Sequence, residues 1–214
     1  MGKRRRDKRK RQTESDVIYV LHYEITYEPM EEEEYRQLPH SVKEQLRRLN
    51  IEVQRKPEKV LPELLELKAK YPQVPQIYNF LTVAYAKMGK LEEAEKTARE
   101  CVARNPDYLF GRINLAEFYL MRGEYEKIPE LFNHKYDLKL LYPERERFHI
   151  SEVASFMGVM GLYFAATNQW EIADRYNQVL QEIAPEFPIA KRLKRKLNPD
   201  LKWLQHLEEQ EKKE

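Results

Sequence analysis

The sequence predicts an all-α protein built as a solenoid of antiparallel helix pairs, and three observations carry that prediction. Charged residues make up 35% of the 214-residue chain and only six residues are Gly, a composition of long surface-charged helices rather than of Gly-rich turns between strands. Apolar residues recur at spacings of three and four along most of the chain. The pattern itself repeats, with Gly89 and Gly123 separated by 34 residues and Pro72 and Pro106 by the same interval.

The first element is a basic arm. Lys3, Arg4, Arg5, Arg6, Lys8, Arg9, Lys10 and Arg11 surround the single acid Asp7, which leaves about −5 on the remainder of a chain whose net charge is +2. Such a run is too polar to bury and is expected to be solvated and disordered unless an anion orders it. A secretory signal needs an apolar stretch after its positive start, and Gln12 to Asp16 is polar. No apolar run approaches the ~20 residues of a membrane span, and Arg6 stands where a myristoylation motif needs Ser or Thr. These features read as a soluble cytoplasmic protein, or a nuclear one if the arm is an import signal.

Residues 17–27 break the helical pattern. Val17, Tyr19, Leu21, Tyr23, Ile25 and Tyr27 alternate with more polar positions, so an extended chain presents one apolar face that must be covered. The sequence offers no second convincing strand to pair with it. The array's own groove is the preferred cover over a partner's surface, because the linker from Glu28 to His40 spans ~40 Å when extended.

The helical region follows. Ser41 and Glu44 form a capping-box pattern ahead of Val42, Leu46, Leu49 and Val53. Val60, Leu64 and Leu67 continue to Pro72. Residues 75–88 place Ile77, Leu81, Ala84, Tyr85 and Met88 on one face, and Gly89 ends that helix. Residues 91–104 repeat the arrangement with Leu91, Ala94, Ala98, Cys101 and Val102, closed by Asn105 and Pro106. One such pair cannot hide its apolar faces, so pairs must stack.

These residues resemble the tetratricopeptide repeat. Tyr78, Leu81, Thr82, Tyr85, Ala94, Ala98 and Pro106 fit its pattern in the best copy, and Leu115, Ala116, Tyr119 and Phe132 in the next, where Arg112 replaces the leading aromatic and Ile128 a small residue. A third copy offers Met157, Met160, Gly161, Phe164, Ala173 and Pro185. Asn168 is the counterpart of Gly123 at 45 residues, so about eleven residues are inserted around 134–148, and Pro129 implies a second helix that starts late. The resemblance implies a right-handed solenoid. The organisation expected is a basic arm over 1–16, an extended apolar segment and acidic linker over 17–39, a helical repeat domain over 40–197, and a C-terminal helix and charged tail over 198–214. The cluster Lys191, Arg192, Lys194, Arg195 and Lys196 reads as the solvated face of a capping helix.

The chemistry of catalysis is not visible. The five histidines are scattered, none forms HExxH, and no Walker loop, GxGxxG or GxSxG occurs. No catalytic residue, metal site or cofactor is assigned. Cys101, the single cysteine, excludes an internal disulfide and reads as a small core residue.

The resemblance implies binding. In the family the first helix of each repeat lines a groove, which here points to Gln76, Asn79, Val83 and Lys87, then Phe110, Ile113, Glu117, Leu120 and Met121, then Leu162. Relatives that grip the carboxylate terminus of heat-shock chaperones need several Lys, Arg and Asn side chains, and only Asn114 falls in a matching slot, so that clamp is not expected. A mainly apolar groove suits a partner's helix or extended peptide, and a protein-interaction scaffold is the leading reading. The alternative is a nucleic-acid or ribosome-associated protein whose arm at 3–11 neutralises phosphates without sequence specificity, because no aromatic residue interleaves the run.

Overall fold

The computed structural model describes residues 23–198. After a short strand β1 (Glu24–Thr26), these residues form helices α1 (Glu33–Arg36), α2 (His40–Glu52), α3 (Pro57–Lys70), α4 (Pro75–Lys87), α5 (Leu91–Arg104), α6 (Leu109–Arg122), α7 (Lys127–Leu131) and α8 (Leu138–Leu141). Strand β2 (Arg147–His149) then leads into α9 (Ile150–Ala166), α10 (Trp170–Ile183) and α11 (Pro188–Leu197). The basic arm, residues 17–22 and the C-terminal tail beyond Asn198 lie outside the described residues.

Repetition in sequence becomes repetition in hydrogen bonding. Helices α4, α6 and α9, the first helices of three successive pairs, are each followed by a left-handed residue: Gly89 and Gly123 at φ 73° and Asn168 at φ 61°. Beyond each, a backbone N–H reaches five residues back, from Lys90 to Tyr85 at 2.9 Å, Glu124 to Tyr119 at 2.9 Å and Gln169 to Phe164 at 2.8 Å. Glycine enters this conformation without strain, and Asn is among the residues that tolerate it best. Turns between pairs repeat as well, with Val74, Tyr108 and Phe187 donating to Tyr71, Asn105 and Ala184 at 3.1 Å.

The departure at Arg112 has a structural reason. Tyr78 donates its hydroxyl to the Pro72 carbonyl at 2.8 Å, and Arg112, 34 residues on, donates its Nε to the Pro106 carbonyl. Both side chains are buried, and both close the turn six residues upstream, so Arg substitutes for the aromatic by keeping its hydrogen bond.

Helices α4, α6, α9 and α11 are consecutive neighbours, with α5 packed on α4 and α6, and α10 packed on α9 and α11. This is an all-α solenoid of helix pairs. Its core has a cluster spanning α2 to α4, anchored by Leu46, Leu49, Leu64 and Ile77, and a larger one from α5 to α11 that includes Phe132, Phe148, Phe156 and Met160. The second helix of the middle pair is only the five residues of α7, with Pro129 inside it. The insert that follows carries α8 and β2, and its Leu138, Leu141 and Phe148 are buried in the larger cluster.

Two expectations are corrected. β1 has a partner after all: it pairs in parallel with β2, Ile25 opposite Phe148. That partner is three residues long and set in the charged stretch around Arg145–His149, so it shows no apolar alternation to read. The alternating face also ends earlier than expected, since Thr26 is buried and Tyr27 is 74% exposed. The Ser41 capping box does not form. Helix α2 begins two residues earlier than a Ser41 cap would set it, at His40 behind Pro39, without a side-chain cap, and Glu44 pairs with Arg47 instead. A capping box appears elsewhere, at the start of α9, where His149 accepts from Ser151 N and Glu152 accepts from the His149 N–H at 2.9 Å. His is outside the usual set of capping residues.

Candidate partner-binding groove

The inner layer of the solenoid presents the faces of α4, α6, α9 and α11, and the residues singled out above are unequally available on it. At the start of α4, Gln76 donates to the Glu32 carboxylate. Asn79 accepts from the Asn114 side chain at 2.8 Å, so the one amide that matched a clamp position ties α4 to α6. Val83 is half-buried and Lys87 exposed. On α6, Phe110 is half-buried against Tyr108 with ring centroids 5.9 Å apart, and Ile113 is buried. Leu120 is half-buried, and Met121 is 57% exposed.

On α9 the inner face is closed down by α11. A Cβ on Gly158 would lie 2.4 Å from Ile189 and one on Gly161 2.4 Å from Leu193, so these glycines let α11 approach closely. Leu162 is buried accordingly. Glu117 of α6 and Arg192 of α11 reach over α9 and meet at 2.5 Å.

No family model matches the chain. It is similar to the TPR repeat-containing protein YvcD of Bacillus subtilis (strain 168), 31% identical over 97 residues, which is 44% of this chain and 19% of that protein. The helix pairs are similar in layout to the tetratricopeptide repeats for which that relative is named. The chain thus matches about a fifth of that relative's length.

The two ends of these helices differ in what covers them. Across the N-terminal ends of α4, α6 and α9 runs the chain's own segment 23–36. Met30, Glu31 and Glu32 border a cleft of about 300 Å³ with Leu109, Tyr142, Arg145 and Glu152. Arg145 binds Glu152 at 2.7 Å and lies 4.3 Å from the Phe148 ring centre. Burial pushes the Glu32 carboxyl above its ordinary value, against its backbone hydrogen bond and helped by the nearby Glu152 charge. The segment is fixed upstream by Tyr23, whose ring meets Phe148 edge-on at 5.0 Å.

Toward the C-terminal ends the inner layer is open. A cleft of about 440 Å³ is bordered by Leu120, Leu162, Ala166, Tyr125, Arg192, Arg195 and Lys196. Sequence reasoning did not place the last four residues here. The signal for Arg192 and Lys196 was available: continuing the 34-residue period from Gly158 and Leu162 lands on them. Nothing in the pattern marks Tyr125, which lies in the shortened turn after α6. A third cavity of about 380 Å³ sits at the insert, between Tyr23, Tyr136, Phe156, Met157 and Tyr176.

Among the described residues, no group of three or more His, Cys, Asp or Glu side chains is placed to hold a metal. None of the described helices is long and apolar enough to cross a membrane.

Proposed function

We propose that this chain is a non-catalytic protein-interaction scaffold, and that the open part of its groove takes an apolar helix or extended segment of a protein partner. The observation that carries the reading is the exposure of Met121 at 57% on α6, with Leu120 of α6 and Val83 of α4 half-buried. A long apolar side chain left in water on the inner face of a repeat array is a surface that gains by being covered. Thioether side chains suit such a surface because they adapt to different partners. A reducing cytoplasmic setting fits the single buried thiol of Cys101. The basic arm, on which a nucleic-acid reading depends, lies outside the described residues.

The test is affinity capture of partners by the full chain, followed by mass spectrometry, with and without nuclease. Val83→Glu and Met121→Glu are compared with Lys96→Glu on the exposed side of α5. Partners retained by Lys96→Glu and after nuclease, but lost with the two groove variants, support the reading. Partners lost on nuclease treatment or on deletion of residues 1–15, and indifferent to the groove variants, would overturn it.

A further inference from the structure

We infer that the segment held by the groove is acidic, its carboxylates read by Arg192, Arg195 and Lys196 while an apolar side chain beside them enters the cleft over Leu120 and Leu162. The inference rests on the scaffold reading and adds the chemistry of the partner.

Three features carry it. First, the cleft of about 440 Å³ has an apolar floor and a wall of three cations from one helix. Helix α11 carries five Lys and Arg side chains and no acid in ten residues, whereas the chain outside its basic arm is acidic by about five charges. A cationic patch on an acidic body has a potential of its own sign and favours an anionic partner.

Second, the wall already holds a carboxylate. Arg192 binds Glu117 at 2.5 Å, with the two side chains 42% and 27% exposed. The pair shows that a carboxylate projecting over α9 meets a guanidinium at hydrogen-bonding distance. Arg195 and Lys196, three and four residues beyond Arg192 and so one helical turn on, complete the wall over the same floor, and Arg is suited to bidentate carboxylate recognition.

Third, the surroundings favour a peptide over a nucleic acid. Single-stranded nucleic acid needs successive aromatic platforms along a cationic track, and the cleft has one aromatic, Tyr125, over a floor of Leu120, Leu162 and Ala166. A side chain such as Leu flanked by Glu or Asp matches floor and wall together.

The experiment uses the full chain and fluorescence anisotropy with three probes: a labelled, amidated decapeptide alternating Glu and Leu, its Gln–Leu counterpart, and a ten-nucleotide oligothymidine. Arg195→Glu combined with Lys196→Glu is compared with Lys191→Glu combined with Lys194→Glu, which changes charge equally on the exposed side of the same helix and keeps the Arg192–Glu117 pair. Circular dichroism checks that each variant retains its helix. The expected result is binding of the Glu–Leu peptide at least tenfold tighter than the Gln–Leu peptide. It should weaken with salt, fall at least tenfold in the Arg195/Lys196 variant, and stay within threefold in the other.

Equal loss in both variants, equal binding of the two peptides, absence of binding, or tighter binding of oligothymidine would overturn the inference. Met121→Glu separates the two layers of the argument. If it abolishes binding of both peptides while they bind the unmodified chain equally, the scaffold reading stands and the acidic-partner inference falls. If it alters neither, the groove itself is the wrong surface.

Discussion

Gly161 lies at the closest approach of α9 and α11, and replacing it by Ala tests whether that packing is as tight as described. A Cβ there would lie 2.4 Å from Leu193 Cδ2, 3.2 Å from Leu193 Cδ1 and 3.2 Å from Tyr176 Cβ, where carbon contacts prefer about 3.5–4.0 Å. Leu193 is fully buried and has no solvent to swing into, and Tyr176 Cβ is tied to its backbone. Relief therefore requires α11 to move outward. Overpacking of this kind costs about 1–3 kcal/mol, while Ala regains about 1 kcal/mol of helix propensity over Gly. The expected balance is a net destabilisation of up to about 2 kcal/mol, a fall of roughly 2–4 °C in Tm per kcal/mol for a chain of this size. Urea and thermal denaturation followed at 222 nm measure it. Truncating the clashing partner should relieve the strain, so Gly161→Ala with Leu193→Ala should cost less than the sum of the singles by more than about 0.5 kcal/mol. A more stable Gly161→Ala, with strictly additive behaviour in the double variant, would refute the packing argument.

The remaining predictions concern the turns, the insert and the buried thiol. Asn168→Val should cost about 1–2 kcal/mol, because a β-branched residue resists the left-handed φ of 61°, whereas Asn168→Gly should be neutral or stabilising; a destabilising Gly variant in denaturation curves would contradict the turn. Phe148→Ala should cost about 3–5 kcal/mol and speed amide exchange across residues 24–36 more than in α4 and α5, because Phe148 is the ring on which Tyr23 rests; unchanged exchange in that segment would contradict its anchoring. Burial pushes the Cys101 thiol up to about 12, so the unfolded chain ionises first, and stability present below pH ~9 is lost as pH rises toward 12. At pH 10.5 this one thiol accounts for about 2 kcal/mol, and Cys101→Ala should lose correspondingly less between pH 8 and 10.5 in urea midpoints; an identical loss would contradict the burial of the thiol.

Much of the array was legible because its determinants are local. The apolar spacing of α4 and α5, the glycines that end the first helices, and the prolines that follow the second helices each act within a turn of where they stand, and the 34-residue period aligned them. Asn168 was found as a turn residue by register alone, and its positive φ supplies the reason. What escaped was non-local. β2 is three residues whose pairing depends on a segment more than 120 positions away, and no pattern that short distinguishes a strand from a charged loop. The covering of the groove's N-terminal edge by residues 23–36 depends on contacts such as Gln76 with Glu32, which link residues far apart in sequence. The basic face of α11 was read as solvated because its periodicity shows only which side is apolar. That its other side borders a cleft with α6 and α9 follows from stacking, through the small residues Gly158 and Gly161.

The measurement that bears most directly on the account is site-specific photo-crosslinking in cells, with a photoreactive phenylalanine analogue placed in the full chain at Val83, at Met121 or at Lys96. The account predicts that positions 83 and 121 crosslink to the same protein, that Arg195→Glu with Lys196→Glu weakens the yield at 121, and that position 96 gives none of that product. Crosslinks confined to position 96, or products at 83 and 121 that vanish with nuclease, would contradict a protein-binding groove on the inner helices.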